Sequence, residues 1–457
     1  MAAVFSPLRR AVTWRRIWLA LAEAQSELGL PVKAGQVRAL RARLESVDLK
    51  AVAKHEKRLR HDVMAHLHAF ADQVPSARGI LHLGATSMDI VDNADLMLVR
   101  EALTIVQQWL VSAVDALSAN ARKHRSLPCL GFTHYQPAQL TTVGKRIALW
   151  CWDCVRDLDA IDALLAGLQF RGVRGATGTQ ASFLKLFNGS AAKVRQLEKR
   201  VAAKLGFKAC EPITGQTYSR KVDAQMISAL ANIAAGVHKF ANDMRLLANL
   251  KEMEEPFGKS QVGSSAMAYK RNPMLCERAT GLARFVIGLA QSGFQNAAEQ
   301  WLERTLDDSS NKRLLMPEAF LATDGMLQVL VHVSRDLVVY PKVMQARIDA
   351  ELPFMATEDI LMEAVACGGD RQDLHERIRV HSQAAAAQVK HHGCPNDLLK
   401  RLGDDPAFAK VKMDKLLRPA AFVGLAPQQV DAFLKNVVAP LKRRHRNTPR
   451  RQPEITV

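Results

Sequence analysis

Residues 261–273 read QVGSSAMAYKRNP, and the rest of the chain is organised around them. Gly263 permits backbone angles closed to other residues. Two serines follow, then Lys270 and Arg271, then Asn272-Pro273. Asn272 is a good N-cap and Pro273 suits the first helical position, so a helix is expected to begin here. Hydroxyls and amides then lie beside fixed positive charge at a helix N-terminus. Such a place can hold an anion and activate a nucleophile or base. Local physics alone supports a capped surface loop equally well.

Long helices surround this stretch. Leu96, Val99, Leu103, Val106, Leu110, Val114 and Leu117 fall in steps of three and four, one continuous apolar stripe ended by Leu127-Pro128. A second periodic segment spans 140–168, and a third runs from Val222 through Met226, Ile233 and Phe240 to Leu247. A fourth follows Pro273, and a fifth covers 312–339 with a kink expected at Pro317. Five long helices with narrow seams and few strand signals make the fold mainly α, with a central long-helix bundle. Helices are also expected at 13–30, 36–44 and 49–70, the last capped by Asp48. Beyond Tyr340-Pro341, the breaks at Pro353, Gly368-Gly369, Pro395 and Pro406 give shorter helices. The division is therefore 1–86, 87–339 and 340–457, three helical domains.

The 457 residues are 48% hydrophobic and 24% charged, an ordinary globular balance. No uninterrupted apolar run approaches the ~18 residues of a membrane span. The first 22 residues lack acids and carry Arg9, Arg10, Arg15 and Arg16, a faint transit-peptide pattern. Continuation into an amphipathic helix is the preferred account, which leaves a cytoplasmic protein. Seven scattered cysteines form no framework, and the Cys151–Cys154 pair lies inside an expected helix, so no metal is expected. The His391-His392-Gly393-Cys394 run reads as a helix end and turn. The net charge of +18 is partly concentrated in 441–451, LKRRHRNTPRR, read as a disordered basic tail. Without aromatic interleaving, nucleic-acid binding is not the expected use.

Several stretches resemble the fumarase/aspartase superfamily and, within it, the adenylosuccinate lyases of the animal-type branch. GSSAMAYKRNP is similar to the superfamily's signature loop, although Ala268 stands where proline is usual. RLRHDVMAH at 58–66, HLGATS at 82–87, GFTHYQPAQLTTVGKR at 131–146, TGTQASF at 177–183, TGQTYSRK at 214–221 and ERTLDDSSNKR at 303–313 carry the rest. The resemblance runs from about Thr13 to about Pro440 and implies a three-domain lyase without a cofactor. It implies release of fumarate from adenylosuccinate, giving AMP, and from SAICAR, giving AICAR.

Cleaving a C–N bond beside a carboxylate needs a base for the carbon-bound proton, stabilisation of the charge that builds, and an acid for the leaving nitrogen. The resemblance implies Ser264 as base and His134 as acid, with Glu277 keeping His134 protonated. Lys270 would lower the cost of the Ser264 alkoxide and, with Asn272, hold the succinyl carboxylates. Arg60, His61 and Asp62 match a substrate-contacting trio, His61 lying near the phosphate or the reacting centre. Thr86 and Ser87 would bind the succinyl part, and Gln216, Arg278, Arg304, Ser309 and Arg313 match other substrate positions. Arg304, Asp308 and Arg313 also read as ordinary surface ion pairs. Relatives carry an earlier Ser-Arg-Tyr element touching the nucleotide. Here either Arg9 or Arg10 takes its place, or the start is shortened.

Ser264 and His134 adjoin different long helices, and the second helix alone spans about 40 Å. A homotetramer whose sites draw on three subunits is therefore expected. The rivals are a sibling lyase of the argininosuccinate type, a non-catalytic relative that kept the fold, and an RNA binder using the tail.

Overall fold

The computed structural model describes residues 1–455. The chain forms two compact units, each assembled from three segments: 1–110, 156–238 and 281–327 in unit 1, and 111–155, 239–280 and 328–457 in unit 2. The expected division into 1–86, 87–339 and 340–457 follows chain order, whereas these units interleave along the chain.

Ser6 caps α1 (Pro7–Glu27) through the Arg9 amide, and Pro7 opens it. After α2 (Ala34–Ala42), Asp48 caps α3 (Leu49–Leu59) by accepting from Lys50 and Ala51 amides at 2.9 and 3.0 Å. The single helix expected over 49–70 does not form. Arg60 takes a left-handed conformation (φ 52°), His61 is extended, and α4 (Asp62–Gln73) begins afresh. Unit 1 also takes much of α5 (Ser87–Lys123), then α7 (Ala181–Leu186) and α8 (Ala191–Lys204), once α6 (Val143–Gly167) has been passed. Its core gathers Trp14, Trp18, Phe70, Phe170, Phe183 and Tyr218, all essentially solvent-free.

The long segments expected from periodicity are α5, α6, α9 (Lys221–Asn249), α10 (Met274–Ala298) and α11 (Asp307–Arg335). Pro317 lies inside α11, which starts five residues before the expected 312. By length and composition α5 and α11 could each cross a membrane, although neither has an unbroken apolar run. Their most apolar stretches are 67% and 56% buried within the protein.

In unit 2 a hairpin stands where the sequence reading had only a bend. Strands β1 (Pro128–Thr133) and β2 (Gln136–Thr142) pair antiparallel, with Thr133 opposite Gln136. The two residues between them are His134 and Tyr135, both with positive φ (51° and 58°), which is the geometry of a two-residue hairpin turn. A second two-stranded piece pairs β3 (Met253–Glu254) with β4 (Val338–Val339). Then come α12 (Pro341–Met355), α13 (Thr357–Ala366) and α14 (Arg371–His392), ended by left-handed Gly393. The basic tail is not disordered. Residues 439–444 are helical, and Asp115 accepts from both Lys442 (3.0 Å) and Arg450 (2.8 Å). The Arg451 amide donates to Ser112 at 2.9 Å. Two of the tail's charges, Lys442 and Arg450, are thus matched by one carboxylate within unit 2.

Buried His66 packs edge-on against Trp14, with ring centroids 4.8 Å apart. Burial, and then Arg10, hold it down to about 4 from an ordinary 6.5. Between those values the unfolded chain binds more protons than the folded one, so stability falls as pH drops through that window. The loss is expected to reach at most about 3 kcal/mol. Denaturation midpoints at pH 7 and pH 4.5 should diverge less in His66→Gln than in the parent. An equal acid slope in both would remove His66 from the account.

Candidate active site

The break between α3 and α4 exists because three polar residues terminate one helix and start the next. The Arg60 amide closes α3 on Glu56 at 2.8 Å. His61 is the N-cap of α4, its Nδ1 accepting the Met64 amide at 3.5 Å, and its Nε2 lies 3.4 Å from Ser87 Oγ. Asp62 accepts from Arg313 at 2.9 Å. At the start of α5, Asp89 accepts the Thr86 amide (2.8 Å), and its other oxygen takes the amide of Arg174 (2.7 Å) and the buried Arg171 guanidinium. This one carboxylate fixes both the Thr86–Ser87 turn and the glycine-containing 171–175 segment. The Gln216 amide donates to Glu303 O at 3.0 Å, so the segments carrying Gln216 and Arg304 lie against each other. A Cβ at Gly215 would stand 2.9 Å from that same Glu303 oxygen, so the approach needs glycine.

These segments enclose a cavity of about 870 Å³ within unit 1. Nine expected site residues line it: Arg60, His61, Asp62, Thr86, Ser87, Gln216, Arg304, Ser309 and Arg313. Arg304 donates to Asp308 at 2.7 Å, but Asp308 is buried and shared with Arg220, so the expected surface ion pair is instead a largely buried one in the cavity lining. Arg10 lines the cavity too, whereas Arg9 pairs with Glu101 at 2.6 Å beside a separate small cleft.

The cavity floor was not foreseen from the sequence. Arg220 is 2% exposed and spans two carboxylates, Asp308 at 2.5 Å and both oxygens of Asp92 at 3.0 and 3.3 Å. Lys312 donates to Tyr218 at 2.9 Å, and Tyr218 donates to Asp223 at 2.6 Å. Lys312 also pairs with Asp95 at 2.9 Å. Burial, and Arg220 after it, press the Lys312 ammonium toward neutrality. Asp223, Asp95 and Tyr218 outweigh them and hold it well above the ordinary lysine value. Burial raises Asp223, while Asp92, faced by Arg220 and Lys312, stays below the usual carboxylate range in spite of burial. TYSRK and SSNKR do contain these bases. What identifies them is burial, which the motifs do not show.

Six expected residues belong to unit 2. His134 is exposed at the hairpin tip. Glu277 lies 3.9 Å from Arg245 and forms no ion pair with His134 in this chain. Ser264 Oγ accepts the amides of Ala266 (3.4 Å) and Met267 (3.2 Å). Lys270 and Arg278 are exposed. Gly263 serves a close approach, since a Cβ there would meet Lys270 O at 2.3 Å. Asn272 does not cap α10; it donates to Gly263 O at 2.9 Å and ties the loop to itself. The cap is the buried Glu255 carboxylate, which accepts Leu275 and Cys276 amides at 3.1 and 3.0 Å. The anion expected at this helix N-terminus is therefore built into the chain. Among the described residues no group of three or more His, Cys, Asp or Glu side chains is gathered as a metal site.

A long-helix bundle with a Gly-Ser-Ser loop and a cavity lined by these motifs defines a lyase of the fumarase/aspartase superfamily. The Lyase family model matches residues 10–288, and the model of the adenylosuccinate lyase C-terminus matches 353–433. The chain is 50% identical to adenylosuccinate lyase of Saccharomyces cerevisiae and 49% identical to that of Schizosaccharomyces pombe. Each alignment covers 96% of this chain and 92% of the relative. The Schistosoma mansoni enzyme is 44% identical over the same shares. Among solved structures, the 3-carboxy-cis,cis-muconate lactonizing enzyme of Pseudomonas putida superposes with a TM-score of 0.82 at 25% identity, covering 95% of this chain and 96% of that one. The chain belongs to the adenylosuccinate lyase family.

Asp308 is the carboxylate shared by Arg220 and Arg304. Asp308→Ala leaves the buried Arg220 short of one partner, an expected cost of about 3 kcal/mol. Arg304→Ala, nearer solvent, should cost about 1 kcal/mol or less. Thermal midpoints compare the two, and equal losses would mean that the buried pair does not hold the floor.

Proposed function

We propose that the chain cleaves adenylosuccinate to AMP and fumarate, and SAICAR to AICAR and fumarate. The observation that carries this reading is the convergence of four separated motifs on one cavity, lined by Arg60–Asp62, Thr86–Ser87, Gln216 and 304–313. Guanidinium forks suit carboxylate and phosphate, and the short hydroxyls of Thr86 and Ser87 suit a carboxylate at close range.

In the proposed reaction Ser264 removes the proton from the carbon next to a carboxylate. The resulting electron pair forms the C=C bond of fumarate, the C–N bond breaks, and His134 protonates the leaving nitrogen. Support for Ser264 comes from the two backbone N–H groups already aimed at its Oγ, donors that an alkoxide would need. Lys270 and Asn272 hold the succinyl carboxylates. His134 sits in a left-handed turn position that costs a non-glycine residue strain, a feature common at functional sites. Its proposed pairing with Glu277 is then made between chains.

The proposed assembly is a homotetramer in the cytoplasm, with each site shared by three subunits. Large apolar side chains exposed on the long helices support it, among them Leu149 and Trp152 on α6 and Phe285, Ile287 and Phe294 on α10.

Purified protein should cleave adenylosuccinate in the ultraviolet assay and leave argininosuccinate untouched. The reverse preference would transfer the function to the sibling lyase. Ser264→Ala and His134→Ala should each lose at least ~1,000-fold in kcat while still binding substrate. Mixed and refolded together, they should recover part of the activity, because some hybrid sites receive both wild-type residues. No recovery from hybrids proven by mass spectrometry would place both residues of a site on one subunit.

A further inference from the structure

One buried charge in unit 2 has no part in the proposed reaction. Glu252 stands just past the end of α9 and is fully buried. Its carboxylate lies between two guanidinium groups, Arg347 Nε of α12 at 3.0 Å and Arg146 Nη1 of α6 at 3.9 Å. Among the described residues neither oxygen accepts a hydrogen bond, and the two facing nitrogens donate none. Charge therefore holds these three groups together. Burial keeps the Glu252 carboxyl above its ordinary value, although Arg146, and then Arg347, pull it down. Such a group is a poor source of stability, and its attraction is strong only while its partners keep their places.

Each side of Glu252 leads to a part of the proposed proton-transfer machinery. Arg146 also donates to Leu130 O of β1 at 2.6 Å, so the charge reaches the hairpin that carries His134. The same guanidinium lies 6.0 Å from the centroid of Phe132, whose ring meets Tyr135 of the turn at 5.9 Å. Leu130 and Leu140 of the hairpin pack with Ile348 and Leu352 of α12, beside Arg347. In the other direction Glu252 O accepts the Tyr340 amide at 3.0 Å. Two residues on, Glu254 accepts the Tyr340 hydroxyl at 2.8 Å and faces Arg271 at 3.4 Å, just past the Ser264 loop. Glu255, the cap of α10, comes next. One short segment thus anchors the Ser264 loop and, through Glu252 and Arg146, the base of the His134 hairpin.

We propose that Glu252 is a positioning residue, its charge fixing the His134 hairpin, through Arg146, to the segment that anchors the Ser264 loop. The proposal rests on the functional reading above, which makes His134 the acid and Ser264 the base. Small displacements of such groups cost rate without costing substrate binding, which belongs largely to the unit 1 cavity.

The test uses the full chain with Glu252→Gln, Glu252→Asp, Arg146→Met and the double variant Glu252→Gln with Arg146→Met, each assayed well below its thermal midpoint. Glu252→Gln should lower kcat for adenylosuccinate about 10- to 100-fold with KM within about twofold. Glu252→Asp keeps the charge and loses length, whereas Gln keeps the volume and loses the charge, so Asp should retain more kcat. Arg146→Met should match Glu252→Gln, and the double variant should fall no further than either, because both act through one link. Unchanged kcat in Glu252→Gln, a rise in KM that matches the fall in kcat, Gln retaining more than Asp, or losses that multiply in the double variant overturns the proposal. If Glu252→Gln does not fold, Arg146→Met decides through the same kcat and KM. Amide exchange of residues 128–142, followed by mass spectrometry, reads the hairpin without catalysis. It should quicken about tenfold in Glu252→Gln and in Arg146→Met, with α1 and α4 unchanged, and no change at the hairpin overturns the proposal as well. A wild type that leaves adenylosuccinate uncut sinks the functional reading alone, because the exchange still decides whether Glu252 holds the hairpin.

Discussion

Arg220 is the group on which the cavity depends. It is nearly solvent-free and held between Asp92 of α5 and Asp308 at the start of α11. Removing a guanidinium from water costs several kcal/mol, and only close carboxylates on fixed backbone repay it. The pairing therefore works as a positional constraint, because α5 and α11 must present their carboxylates at one separation. Asp308 gains from its place in the first turn of α11, where a negative charge meets unpaired amides. Its second oxygen then holds Arg304. The side chain proposed to meet substrate is thus oriented through a buried charge, and Tyr218 and Lys312 extend the same network beneath the cavity.

The helices were legible because their physics is periodic. A stripe at steps of three and four survives any tertiary context that buries one face, so α5, α6, α9, α10 and α11 were all readable. The hairpin was not. Its turn normally calls for Asn-Gly or Asp-Gly, and here His134-Tyr135 occupy the two left-handed positions. Propensity failed at 60–61 for a related reason. The pattern continues through Arg60, but His61 supplies an N-cap and Arg60 accepts a left-handed angle, so two helices replace one. In both places the local rule gives way at residues proposed to meet substrate or to move a proton.

The site was legible where polar side chains line a surface and illegible where they are buried. Motif resemblance marked nine cavity residues. It gave no sign that Asp92, Asp95, Arg220 and Lys312 form the floor, because an Asp on an apolar stripe looks like an interruption until its partner is known. The cap of α10 shows the same limit. Asn272-Pro273 is a good local signal, yet Glu255, twenty residues before Leu275, takes the amides and frees Asn272 to close the loop on Gly263. Sequence spacing cannot reveal a cap that arrives from that far away. The basic tail was misread likewise, since Asp115 lies more than three hundred residues before Arg450.

The two sets of residues differ in physical character, and the difference suits the proposed chemistry. Groups that line the unit 1 cavity are tied down by buried ions and helix caps, so they can bind a charged ligand with little reorganisation. Ser264, Lys270 and His134 sit on a loop and a turn with few side-chain ties. A base and an acid that must exchange protons with solvent between turnovers gain from such access. They become effective only when water is excluded around them. A site shared between subunits would reconcile these demands, with one unit supplying a rigid binding surface and other chains delivering mobile proton-transfer groups to it. The exposed apolar faces on α6 and α10 would then do more than hold an assembly together, because the same contact that buries them would bring the proton-transfer groups out of bulk water.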